Sequence, residues 1–229
     1  MIASASRASD LAIGGAGARA TGVQADACLR LLDRGVAIIC LDRLLADNGP
    51  GGQRAFHALC DGLANAHDIA ALVLKGSTAW RGGDDAGHER AAQRLTDLAS
   101  ILPALPYPII ASISGDTSMI GLRVACVCHF VIAEEEVAIS AASEPHASTG
   151  TMTGRETERW KAARDLFADR SIAMTAAEAF AARLVDGVVS AGQGASSAVA
   201  IAKTLANGPG ELIAIAQRQA EMRRTALAA

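Results

Sequence analysis

The sequence predicts an α/β domain with a helical C-terminal part, and three observations carry that expectation. Short apolar runs alternate with stretches of helical periodicity, the links between them are short, and the composition is apolar but poor in aromatics. Of 229 residues, 51% are hydrophobic and 3% aromatic, so Ala, Leu, Val and Ile must fill the core. Strand, helix, strand, helix, strand with short links is the pattern of right-handed βαβ crossovers. A chain of this length suits one such domain with a small helical appendage.

In chain order, residues 27–33 and 36–42 flank Arg34-Gly35 and read as a hairpin with a tight turn. A loop holding Asn48-Gly49-Pro50-Gly51-Gly52 leads to a helix over 53–66, where Phe56, Leu59, Cys60 and Leu63 fall on one face. Residues 69–74 form an apolar run expected to be a buried parallel strand. A glycine-containing loop over 75–83 precedes a helix over 87–102, which Pro103, Pro106 and Pro108 terminate. Residues 109–113 are the third buried strand, Ser114-Gly115-Asp116 turns into a helical stretch reaching Cys128, and 130–133 is a further strand. Beyond Gly154, helical patterns occupy 155–168, 175–183 and 195–224, interrupted at Gly208-Pro209-Gly210.

Charge and motif content exclude several classes. Lys and Arg number 21 against 24 Asp and Glu, for a net charge of −3, and basic residues neither cluster nor interleave with aromatics, so no nucleic acid is expected. Apolar runs fall well short of the roughly 20 residues that cross a bilayer, so no membrane partner is expected. Residues 1–26 lack the continuous apolar region of a signal peptide and read as a flexible tail. Cys28, Cys40, Cys60, Cys126 and Cys128 sit inside apolar runs, where a thiol behaves as a small hydrophobe; a reducing cytoplasm is the natural setting. Cys126-Val-Cys128-His129 has no second ligand pair at zinc spacing, so no metal is expected. Gly14-Gly-Ala-Gly17 follows no expected strand, which argues against a dinucleotide fingerprint, and Walker loops and nucleophile elbows are absent from the sequence.

Several segments in order carry a family resemblance. They are Val36-Ala-Ile-Ile-Cys-Leu-Asp-Arg43 with Asn48 five residues on, Ala70-Ala-Leu-Val-Leu-Lys-Gly76 with Trp80-Arg-Gly-Gly-Asp-Asp85, and Pro108-Ile-Ile-Ala-Ser-Ile-Ser-Gly115. Gly121-Leu-x-x-Ala125, Phe130-Val-Ile-Ala133, Ala176-x-Glu-Ala with Leu184-Val-Asp-Gly-Val188, and Ala202-x-Thr-Leu-Ala-x-Gly-Pro209 continue the series. Over residues 27–220 the chain resembles a divergent member of the crotonase (enoyl-CoA hydratase/isomerase) superfamily. The resemblance implies a crotonase-like ββα spiral over 27–190, a C-terminal helical trimerisation region over 191–229, and assembly as a homotrimer or hexamer. It also implies an acyl thioester of coenzyme A or of an acyl carrier protein's pantetheine arm as substrate carrier, with no tightly bound cofactor. In such a site two backbone N–H groups stabilise an oxyanion.

By that match the first donor is the N–H of Gly82, where a glycine pair after a buried strand lets backbone approach a ligand; a plain surface turn is the alternative. With Gly82, the loop residues Gly83, Asp84 and Asp85 are expected to bind the coenzyme A or pantetheine thioester, Asp85 matching the family's supporting Asp and Asp84 standing as a candidate acid or base. The second donor falls at Ile120, with Gly121 next to it; the family's run of three glycines is here Met119-Ile120-Gly121, whose side chains reshape the pocket. The first hydratase carboxylate falls at Arg123, which stays protonated and cannot act as a base. The second falls at Ser143 by strict counting, or at Glu144 with a shift of one; Glu144 also reads as a solvated loop carboxylate. His146 can supply a proton near neutral pH or simply be exposed, and His129 replaces an Asp and reads as structural.

The leading expectation is therefore a lyase or isomerase acting on an acyl thioester, by decarboxylation or double-bond isomerisation through a stabilised enolate. A non-catalytic subunit or partner of a homologous active enzyme is the second, and a hydratase with a rearranged acid–base pair the third.

Overall fold

The computed structural model describes residues 29–46, 49–77, 85–140, 154–168 and 173–208. β1 (Leu29–Leu31) turns through Asp33–Gly35 and returns antiparallel as β2 (Val36–Cys40), pairing Leu31 with Ala37. The turn forms at the expected Arg34-Gly35 pair, with the two residues at φ 67° and 71°. A side chain at Gly35 would meet the Asp68 carbonyl, and the Gly35 carbonyl accepts the Ala70 N–H at 2.7 Å. The hairpin is thereby fastened to the entry of the next strand.

α1 (Leu41–Ala46) follows directly, then α2 (Pro50–Asn65) and β3 (Ala71–Gly76). α3 (Asp85–Ile101) precedes β4 (Ile109–Ile113), and β5 (Thr117–Ser118) leads into α4 (Met119–Cys126). β6 (Phe130–Glu134), β7 (Ala138–Ser140) and α5 (Gly154–Ala168) come next. The described chain closes with β8 (Met174–Thr175), α6 (Ala176–Ala181), β9 (Gly187–Val189) and α7 (Gly194–Asn207). The main sheet has the order β1-β2-β3-β4-β6-β9 and is parallel from β2 onward. β5, β7 and β8 make a smaller second sheet.

Successive strand residues face opposite layers. Ala37, Ile39, Leu72, Leu74, Ile109 and Ala111 pack in one apolar cluster with residues of α1 to α6. Val36, Ala71, Val73, Ile110 and Ile132 pack in a second, covered by Ala198 and Ala202 of α7. Burial on both faces explains why these strands read as unbroken apolar runs rather than alternating ones. Each fully buried Leu or Ile contributes about 1.5–3 kcal/mol relative to exposure.

α7 supplies Gly194–Asn207 of the region 191–229, and its first N–H, from Gly194, donates to Glu134 Oε1 at 2.9 Å. α5 is tied to the sheet by an ion pair of Arg159 with Asp186 at 3.0 Å, while Asp186 also accepts the Val131 N–H at 2.8 Å. Among the described residues Cys40, Cys60, Cys126 and Cys128 form no disulfide, and the Cys128 thiol donates to the Val124 carbonyl. Among the described residues, helices are not long and apolar enough to cross a membrane, and His, Cys, Asp and Glu form no group of three suited to a metal.

Several boundaries differ from expectation: the helix read over 53–66 already starts at Pro50, within the stretch read as loop, and the helical stretch read after Asp116 is β5 followed by α4, which ends at Cys126. The strand read over 36–42 ends at Cys40, because Leu41, Leu44 and Leu45 form the buried face of α1. The strand read over 69–74 lies at Ala71–Gly76, since Asp68 to Ala70 are occupied by contacts with Gly35. β7, β8 and β9, of two or three residues each, are too short to give a period.

The α2 face carries a pH dependence. Burial, followed by the nearby Asp61 and Asp97, raises the Cys60 thiol from 9.0 to about 12. Tyr107, whose hydroxyl donates to the Leu63 carbonyl at 2.9 Å, is raised as well, by burial and then by Asp68. The folded protein holds both protons more tightly than the unfolded chain. Their stabilising contribution is complete below about pH 9 and is lost as pH rises toward the folded-state values. The melting temperature should fall steadily between pH 9 and 12, and Cys60→Ala should flatten that slope. An unchanged slope in the variant would remove Cys60 as a cause.

Candidate active site

β2, β3 and β4 end side by side, with Cys40 in register with Lys75 and Gly76 with Ile113. Their carboxyl ends form the edge at which parallel α/β sheets receive ligands. From this edge emerge α1, the chain at Ser77, and the Ser114-Gly115-Asp116 link to β5 and α4.

The edge is cross-braced. Asp42 Oδ1 accepts the Ser77 N–H at 3.0 Å, and the Ser77 hydroxyl donates to the Asp116 carbonyl at 2.6 Å. The Ser114 N–H reaches the Gly76 carbonyl at 3.4 Å, and the Cys40 thiol lies 3.9 Å from Asp42 Oδ2. Gly76 has φ 126°, and a Cβ there would overlap the Asp42 carboxylate. Only glycine combines that backbone with that close approach, so the direction in which the chain leaves β3 is fixed immediately before 78–84.

α4 starts beside this brace. Ser118 is its N-cap, with φ −79° and ψ 165°, and the Ser118 hydroxyl accepts the Gly121 N–H at 3.2 Å. Gly121 is thus engaged by the cap. The Ile120 N–H belongs to the first turn, where a helix provides no intrahelical acceptor and its partial positive charge is concentrated. Of the eight residues of α4, only Ile120 and Arg123 are partly exposed. Three positions apart, they share one helix face. Arg123 Nε is buried and has no hydrogen-bond partner among the described residues.

The structure therefore brings together Ile120, Gly121 and Arg123 on α4, next to the ends of β3 and β4. Asp85 is the first residue of α3. Gly82, Gly83 and Asp84, like Glu144 and His146, lie outside the described residues. His129 is held in the fold, its Nδ1 accepting the Ile109 N–H at 3.1 Å and its own N–H donating to the Ile109 carbonyl at 2.8 Å. Asp116 contributes its carbonyl to the brace and is exposed.

Sequence reasoning missed Asp42, Ser77 and Arg94. Arg94, 1% exposed, donates to the Leu44 carbonyl at 3.1 Å and to Gln53 Oε1 at 3.2 Å, holding the end of α1 against α2. Its signal was an arginine within the apolar stripe of Ala91, Leu95 and Leu98. For Asp42 the signal was a carboxylate just past a strand, with a glycine ending the neighbouring strand.

A mainly parallel sheet sandwiched by helices, with a small second sheet beside the strand ends, is the architecture of crotonase-type proteins. The chain shares that fold with solved structures that are distant from it in sequence. An enoyl-CoA hydratase from Mycobacterium avium subsp. paratuberculosis K-10 superposes with TM-score 0.61 at 22% identity, over 87% of this chain and 82% of that one. A probable enoyl-CoA hydratase from Mycobacterium smegmatis gives TM-score 0.62 at 20% identity, over 86% and 84%. ThnE from S. clavuligerus gives TM-score 0.60 at 19% identity, over 84% and 90%. No protein-family model matches the chain, and no curated protein matches its sequence.

Proposed function

We propose that this chain binds an acyl thioester, of coenzyme A or of a carrier-protein pantetheine arm, at the carboxyl ends of β3 and β4. There it promotes decarboxylation or double-bond isomerisation through an enolate. The observation that carries this reading is the Ile120 N–H in the first turn of α4, at the strand ends, with its neighbour Gly121 already taken by the Ser118 cap. By the family resemblance the Gly82 N–H supplies the second donor.

In decarboxylation, the bond from Cα to the departing carboxylate breaks and its electron pair forms the enolate, whose charge rests on the thioester oxygen. Carbon dioxide leaves, and one acid then protonates Cα. In isomerisation, a base removes a proton from the acyl chain and returns it two carbons away. Glu144, His146 and Asp84 are the candidate proton carriers, with Asp85 supporting the loop and Gly83 among the residues that bind the thioester carrier. Either route needs less acid–base apparatus than hydration, which agrees with Arg123 standing at the first carboxylate position. The active assembly is a homotrimer or hexamer.

The bulk of Met119 and Ile120 and the charge of Arg123 favour a second reading, a non-catalytic subunit that works with a homologous active enzyme. A thermal-shift titration with coenzyme A, acetyl-CoA and acetoacetyl-CoA tests the site itself. A ligand at a hundred times its dissociation constant stabilises the native state by about 2.7 kcal/mol. The expected result is a saturable rise, larger for the thioesters than for coenzyme A. The absence of a shift with all three, together with co-purification of another acyl-thioester enzyme, would transfer support to the non-catalytic reading.

A further inference from the structure

We propose that the acyl group accepted at this site carries a carboxylate of its own, and that Arg123 selects for it. This rests on the acyl-thioester reading above and narrows its substrate class.

Arg123 stands out among the buried or half-buried arginines. Arg159 is held by Asp186, and Arg94 by the Leu44 carbonyl and Gln53. Arg123 lies in the otherwise uncharged helix Met119–Cys126 with its Nε buried and unbonded, and it forms neither an ion pair nor a hydrogen bond among the described residues. A guanidinium keeps its charge, and a buried N–H without an acceptor is costly. The Nε of such a cation is open to an acceptor that a ligand brings, and the planar fork matches a carboxylate.

Its position indicates which anion. Arg123 shares the partly exposed face of α4 with Ile120. Three residues of helix advance about 4.5 Å along the axis, which is the reach of a short acyl chain from a carbonyl held at the Ile120 N–H. The phosphates of coenzyme A are separated from that carbonyl by the whole pantetheine arm. The site therefore takes a dicarboxylic acid esterified at one end to the thiol.

Titration calorimetry on the full chain tests this with pairs matched in acyl carbon number: succinyl-CoA against butyryl-CoA, and malonyl-CoA against propionyl-CoA, with coenzyme A alone as reference. In at least one pair the carboxylated member should bind about tenfold more tightly. Arg123→Gln should bring that ratio to within about twofold of unity, and Arg123→Lys, which keeps the charge but loses the fork, should retain part of it. Equal affinities within both pairs, or a preference that survives Arg123→Gln, would overturn the inference while leaving the thioester site standing. Uniform weakening of coenzyme A and every thioester in Arg123→Gln would assign the arginine to the phosphates and overturn it too. Should Arg123→Gln not fold, Arg123→Lys decides, because an undiminished ratio there is incompatible with a bidentate contact. Failure of coenzyme A and all four thioesters to bind the wild type would bring down the acyl-thioester reading itself, and this inference with it.

Discussion

Replacing Gly76 by alanine is expected to destabilise the protein by about 3 kcal/mol, adding the strain of an L-residue in a glycine-only conformation to the loss of a hydrogen bond. In a chain of this size that lowers the melting temperature by about 6–12 °C. The backbone φ of 126° contributes the strain, and the new Cβ would displace the Asp42 carboxylate that accepts the Ser77 N–H. The two causes separate in a double variant. Asp42→Ala removes the collision but not the strain, so Gly76→Ala should cost less in that background, and the difference measures the steric coupling. Gly62, on an exposed stretch of α2 where an added methyl group would have nothing within 4 Å, is the control; alanine there should be neutral or mildly stabilising. A melting temperature for Gly76→Ala within about a degree or two of wild type would show that the β3 exit is not rigid. The same variant should also weaken thioester binding beyond what its stability loss explains, because the chain from Ser77 onward leaves in a new direction.

The elements best read from sequence were those whose burial sets a period or an uninterrupted apolar run. α2 announced itself through Phe56, Leu59, Cys60 and Leu63, all buried in the first cluster, and β4 was bounded correctly at Ile109–Ile113 because prolines precede it and Ser114-Gly115 follows. The Arg34-Gly35 turn was legible because few other sequences tolerate two left-handed residues in succession. α1 was not legible: its six residues extend a strand-like run, and only tertiary contacts of Leu41, Leu44 and Leu45 turn the chain into a helix. At the site, counting from Gly115 led to Ile120 and Gly121, but their different fates depend on the Ser118 hydroxyl, which no spacing rule singles out. The Asp42–Ser77–Asp116 brace links residues 35 and 39 positions apart, and such contacts exist only once the parallel strands are in register. Arg123 was read as a missing base; that its Nε has no partner among the described residues is visible only in the fold, and the proposed carboxylate preference rests on it.

The largest kinetic effect should come from Glu144→Gln. On the proposed reading the enolate rests at the Ile120 and Gly82 N–H groups and goes on to product only when one acid protonates Cα. Glutamine preserves the size and much of the hydrogen bonding of glutamate but has no proton to give. General acid–base groups contribute about 10²–10⁴-fold, so turnover of a carboxylated thioester should fall at least about a hundredfold. KM should change little, and the thermal shift with acetoacetyl-CoA should persist, because the loss concerns the step rather than binding. If turnover is unchanged, Glu144 leaves the mechanism and the parallel variants His146→Gln and Asp84→Asn identify its replacement. A histidine acid would announce itself through a rate that declines as pH rises past about 6.5. Wild-type protein that binds thioesters but turns over none of them would support the non-catalytic reading. In that case Arg123 would still decide which thioester is bound, since the preference for a carboxylated acyl group depends on the guanidinium and not on any proton transfer.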